Sequence, residues 1–119
     1  MNDQMAREVI AWLLKAREAK GFSLYCYCLM PDHMHLVISP SSQGPDVTAI
    51  VQQFKSATTH KSWSLGFRGR LWQRSYYDHV ARQEADVLAM CQYVIENPVR
   101  AGLAQNHGDY PFCALVDPL

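Results

Sequence analysis

Apolar residues recur at helical spacing in the first stretch of the chain. Met5, Val9, Trp12, Leu13 and Ala16 fall on one side of a helix running from about Asp3 to Lys20, and Gly21 supplies its C-cap. Ser23 to Met30 reads as a strand, rich in tyrosine and apolar on both faces, hence an interior one. Pro31-Asp32 is a turn signal, and strict alternation follows it: Met34, Leu36 and Ile38 on one face, His33, His35 and Val37 on the other. His33 to Ser39 is therefore the hairpin partner, and the P-S-S-Q-G-P run from Pro40 to Pro45 is a loop. A second helix spans about Asp46 to Trp63, with Ile50, Val51, Phe54 and Ala57 on its buried stripe. A glycine-containing connection, Ser64 to Gly69, leads to a third strand at Leu71–Arg82. The third helix begins near Glu84 and stops at Pro98, because the residue before a proline disfavours helical geometry. From Gly102 onward, with Pro111 and Pro118, the tail reads as irregular.

The order is helix, strand, strand, helix, strand, helix. With one strand prefixed it becomes the split βαβ pattern of ferredoxin-like α+β folds. The expected sheet is antiparallel, with helices on the face that takes Met34, Leu36 and Ile38, and an additional C-terminal helix. His33 and His35 then lie on the opposite face, where that last helix can bring further groups. No repeat, low-complexity segment or long linker divides the chain, so residues 1–119 form a single domain.

Composition narrows the class. A hydrophobic fraction of 49% and a charged fraction of 18% suit a globular domain and exclude a disordered one. No apolar run reaches the length of a membrane span and the N-terminus lacks a signal-peptide pattern, so a cytoplasmic protein is expected. Cys26, Cys28, Cys91 and Cys113 form no C-x-x-C pair, and they are expected as reduced, mostly buried thiols. Net charge is zero, but its distribution is uneven: Phe54 to Arg82 holds six basic residues against Asp78 alone, a local +5. Lys55, Lys61, Arg68, Arg70 and Arg74 stand there among Trp63, Phe67, Trp72, Tyr76 and Tyr77. Such a segment pairs phosphates with charge and bases with rings, or else packs its aromatics and solvates its charges.

Two imidazoles two residues apart on one strand face can converge on a divalent metal, since neutral imidazole is a common ligand and a strand holds both donors rigidly. The competing role is a partly buried strand whose histidines bond to neighbours. On the third helix, Tyr93 and Asn97 are four apart and share a face, away from the stripe of Val87, Cys91, Val94 and Ile95. A tyrosine so placed is free to be a nucleophile, and an amide oxygen can complete a metal shell. The same residues also suit a rim tyrosine and an asparagine that ends the helix before Pro98.

Three segments together resemble a known family. Y-C-L-M-P-D-H-M-H-L-V at Tyr27–Val37, L-W-Q-R-S-Y-Y-D-H-V at Leu71–Val80 and Y-V-I-E-N-P-V-R-A-G-L at Tyr93–Leu103 are similar to the single-tyrosine HUH transposases, in particular their REP-associated tyrosine transposase branch. The resemblance implies an enzyme that cuts and rejoins single-stranded DNA, often at a hairpin, through a 5′-phosphotyrosine. By motif, His33 and His35 match the metal histidines, Tyr93 the nucleophile and Asn97 the polar residue that helps hold the metal. Mg²⁺ or Mn²⁺ is the implied cofactor, whereas two imidazoles alone favour zinc or another borderline metal. His79 is an imaginable helper, and a packed strand histidine is the alternative; His60 and His107 carry no argument.

Members of that family usually begin with a strand before the first helix, whereas here helix follows Met1 almost at once: either the sequence starts late or a central strand is missing. An absent central strand leaves two edges unpaired, so a homodimer is expected in which the third helix approaches the partner's histidines. Two other functions remain open: a domesticated hairpin-binding module that does not cut, and a small metal-binding or structural dimer.

Overall fold

The computed structural model describes residues 1–31, 33–72 and 84–119. Helix α1 covers Asp3–Lys20 with the expected ends. The Asn2 side chain accepts the Met5 N–H at 2.8 Å, satisfying a donor that the first turn leaves open. Gly21 turns left-handed at φ 73° and returns its N–H to the Arg17 carbonyl, a conformation that any Cβ would oppose. Met5, Val9, Leu13 and Ala16 are buried as the spacing requires, and Trp12 packs its ring 5.7 Å from Phe54.

Strand β1 (Ser23–Leu29) pairs antiparallel with β2 (Met34–Ser39), Leu24 opposite Ile38 and Leu29 opposite Met34. The register shifts between Leu24 and Cys26. Tyr25 and Cys26 consequently belong to the same side, after which alternation resumes. The interior reading of β1 holds, because it lies at the centre of the order β2-β1-β3.

The third member, β3 (Cys113–Leu115), corrects the expectation of an irregular tail. It pairs antiparallel with β1, Cys28 opposite Cys113 and Cys26 opposite Leu115. Flanking residues extend the attachment: Leu29 N–H donates to the Phe112 carbonyl, Val116 N–H to Tyr25 and Asp117 N–H to Leu24. Asp117 also accepts the Leu24 N–H at 2.7 Å and pairs with Arg17 of α1. Three residues are too few to show a period, and the segment is a strand because β1 offers it a row of unpaired backbone groups. One edge of β1 is thus filled within the chain.

Helix α2 (Val47–Ser64) is capped by Asp46, which accepts the Ala49 N–H at 2.9 Å. Its buried stripe is Ile50, Phe54, Thr58 and Ser62, with Val51 and Ala57 only half-buried. The polar half of that stripe escaped the hydrophobic pattern because its hydroxyls find partners. Thr58 Oγ1 donates to the Phe54 carbonyl at 2.7 Å and accepts the Trp72 Nε1–H at 2.9 Å. Leu71 and Trp72 form a buried bend, and the rest of the expected third strand lies outside the described residues.

Helix α3 (Glu84–Ile95) buries Cys91 and Val94 as expected and packs on the sheet. It ends earlier than Pro98, and the chain then resumes as α4 (Asn97–Arg100), through that proline. In the first turn of a helix the missing proline N–H has no partner to lose, so Pro98 starts a helix here where it was expected to stop one.

The sheet separates two cores. On one face Val9 and Leu13 of α1 and Ile50 and Phe54 of α2 meet Leu24, Tyr27 and Leu29, with Met34, Leu36 and Ile38 against them. On the other, Cys91 and Val94 of α3 meet Cys26, Cys28, Met30 and Val37. The architecture is α+β with a three-stranded antiparallel sheet among the described residues, two helices on one face and the tyrosine-bearing helix on the other.

Candidate active site

The turn between β1 and β2 is closed by the Met30 N–H, which donates to the His33 carbonyl at 2.8 Å. His33 and His35 emerge from it on the same side as Val37, the face covered by α3. Their rings meet edge to face with centroids 5.0 Å apart, and both residues are half-buried. Among the described residues, His35 Nε2 is buried with no hydrogen-bond partner. Leaving a polar atom so costs about 1–3 kcal/mol. Burial, then the neighbouring charges of His33 and Arg100, hold the His35 imidazole below its usual range, which favours the neutral ring. A neutral imidazole with a bare nitrogen is the form that binds a metal.

Tyr93 stands on the outer side of α3, 59% exposed, away from the Cys91 and Val94 stripe. Asn97 is half-buried and opens α4, so the two belong to successive helices with Glu96 between them in right-handed geometry. The new feature is Arg100. Its guanidinium carbon lies 3.9 Å from the Tyr93 ring centroid, one of its nitrogens donates to the Tyr93 carbonyl, and another is 3.7 Å from the Glu96 carboxylate. The same charge acts on His35 and on Cys28 across the sheet face. Arg100 was missed because the helix was expected to end before it. The available signal was its spacing, two helical turns beyond Tyr93 on the same side.

Beneath the histidines lie the thiols. A hydrogen bond with Cys113, then burial, pushes the Cys28 thiol up; burial, then Cys91, does the same for Cys26. All four cysteines are free, as expected, and no cluster of three or more metal-binding side chains of the His, Cys, Asp or Glu type occurs among the described residues.

The basic segment divides. Lys55 is half-buried on α2, and Lys61 is exposed there, 3.9 Å from Glu8, a surface pair that contributes little. Arg68 and Arg70 are exposed in the loop after α2, which turns through Gly66 and Gly69 at φ 93° and 91° and is tied by Trp63 Nε1–H donating to the Gly69 carbonyl. Trp63, Phe67 and Arg68 line a cleft of about 330 Å³ there, both rings exposed. Trp72 takes the opposite course and stacks in the core, 5.3 Å from Phe54. Arg74, Tyr76, Tyr77 and His79 lie outside the described residues.

The histidine strand and the tyrosine-bearing helix α3 pack together, the two elements that carry the resemblance to the single-tyrosine transposases. Residues 1–97 match the family described as "Transposase IS200 like", and the chain belongs to that family. It is 26% identical over 109 residues to a REP-associated tyrosine transposase of Escherichia coli (strain K12), covering 92% of this chain and 62% of that protein. A solved REP-associated tyrosine transposase bound to a REP hairpin superposes with a TM-score of 0.74 at 25% identity, covering 92% of this chain and 62% of the other. The chain thus spans about three-fifths of the length of these relatives. Among the described residues no helix is long and apolar enough to cross a membrane.

Proposed function

We propose that this protein cleaves and rejoins hairpin-bearing single-stranded DNA, with Tyr93 as nucleophile. The observation that carries the reading is the bare, buried Nε2 of His35 beside His33, on the sheet face that α3 covers. That atom fits a metal, and His33, His35 and the Asn97 amide oxygen would hold it. When bound, Mg²⁺ or Mn²⁺ would supply positive charge that polarises the scissile phosphate. The Tyr93 oxygen then forms a bond to phosphorus while giving its proton to solvent. The 3′-oxygen departs with the bonding pair and takes up a proton, leaving a 5′-phosphotyrosine and a free 3′-hydroxyl. Because the phosphoester is conserved, a second 3′-hydroxyl can reverse the step and join a new end.

Arg68, Arg70, Lys61 and Lys55 take backbone phosphates in this reading, and Trp63 and Phe67 offer faces on which unpaired bases stack. The hairpin in the solved relative supports DNA of that shape as the substrate. The test is incubation with hairpin-bearing single-stranded DNA and Mn²⁺, followed by denaturing electrophoresis. A covalent adduct that Tyr93→Phe fails to form is expected. Tight binding without any adduct would instead make this a hairpin-binding module.

A further inference from the structure

Arg100 has a simple role open to it, closing the C-terminal end of α3. Its contacts with the Tyr93 carbonyl and with Glu96 suit that role, because a cation at a helix C-terminus satisfies free carbonyls and the helix dipole. Capping does not require the guanidinium to sit 3.9 Å from the centre of the Tyr93 ring. The Arg100 guanidinium lies against the Tyr93 ring. Its side chain is 38% exposed, and the Tyr93 carbonyl takes only part of its N–H donors.

We propose that Arg100 fixes the Tyr93 ring and donates to a non-bridging oxygen of the phosphate that Tyr93 attacks. The assignment rests on Tyr93 being the nucleophile. As the tyrosine oxygen bonds to phosphorus and the 3′-oxygen begins to leave, negative charge grows on the non-bridging oxygens. A guanidinium already held beside the attacking ring meets that charge without reorganising. The stacking keeps the ring from rotating away, which an exposed tyrosine would otherwise do.

The test uses the full chain, Mn²⁺ and a hairpin-bearing single-stranded oligonucleotide in single-turnover cleavage. Arg100→Ala should slow adduct formation by about 100-fold. DNA affinity should change by about threefold or less, since one phosphate contact among several is lost. Arg100→Lys should recover part of the rate by restoring charge without the planar contact. A methylphosphonate linkage, which carries no charge, is then stepped through the oligonucleotide. At the attacked position it should erase the difference between wild type and Arg100→Ala. Equal slowing of the variant on charged and uncharged linkages, with a lowered melting temperature, would reduce Arg100 to a helix cap and overturn the assignment. Binding of the same oligonucleotides gives a readout independent of cleavage: wild type should prefer the charged linkage at one position and Arg100→Ala should not, and an unchanged preference overturns the proposal. Failure of the underlying reading looks different, as Tyr93→Phe would still form the adduct. A dead Tyr93→Phe beside a fully active Arg100→Ala sinks the arginine assignment alone.

Discussion

The two faces of the sheet are built on different principles. Toward α1 and α2 the packing is apolar: Val9, Leu13, Leu24, Leu29 and Ile50 are each 1% exposed or less, with Phe54 and Trp72 among them. The hydroxyl of Thr58 on that side both donates and accepts. Toward α3 the contact is made by thiols, Met30, Val37 and Val94, with a histidine pair at the strand end and a ring nitrogen that has no partner among the described residues. One face holds the fold together. The other accepts the cost of a buried polar atom left unsatisfied among the described residues, the feature on which the proposed site rests.

The comparison is broken most sharply by substitutions confined to one face. Tyr93→Phe should abolish the covalent adduct, a loss of about 10⁴-fold or more, while the melting temperature and DNA affinity stay near wild type. His33→Ala and His35→Ala should likewise lose the response to metal without unfolding. Removing His35 should even relieve the orphaned nitrogen, so a strong loss of stability would show that the pair is structural. Mixing the Tyr93→Phe and His33→Ala chains should restore nothing, because α3 packs on its own sheet. Recovered adduct would place the site between two chains.

On the other face Leu13→Ala should cost about 2–5 kcal/mol in chemical denaturation, leaving the activity of the folded fraction unchanged. A cost well under 1 kcal/mol would mean that α1 is not part of the main core.

Charge reversals at Arg68 and Arg70 should act on neither core. They should lower the slope of log affinity against log salt by about one counterion per lost phosphate contact, in titrations of single-stranded DNA. An unchanged slope would put the nucleic acid elsewhere.

The smallest effect concerns the C-terminal strand. The Arg17 guanidinium, opposed by partial burial and helped by the Leu24 N–H, holds the Asp117 carboxyl below its usual range. The folded state therefore gains stability from the ionised form. That gain is complete above the ordinary carboxylate pKa and is lost as pH falls through the lowered value. Asp117→Asn should flatten the acid limb of a stability–pH curve and change little at neutral pH. An acid limb identical to wild type would remove Asp117 from the anchoring of β3.

The linear chain by itself determined the elements whose signals are local. Helix α1 follows from its apolar spacing and Gly21, and the faces of β2 follow from the alternation of Met34 to Ile38, since side-chain direction there depends only on parity. His33, His35 and Tyr93 were legible as candidates because their motifs are contiguous. Tertiary structure decided what depends on distant partners. Cys113–Leu115 is a strand only because β1 presents an open row of backbone groups. Thr58 and Ser62 are buried because Trp72 and nearby carbonyls satisfy them or leave room to do so. Trp63 and Trp72, alike in sequence, part company because one ring reaches the core and the other is held at the surface by the Gly69 carbonyl. Arg100 acquires its place only when the chain resumes as a helix through Pro98 and brings a cation back over Tyr93. Local pattern carries conformation and facing, whereas partner choice is a property of three-dimensional packing and of the groups it leaves unsatisfied.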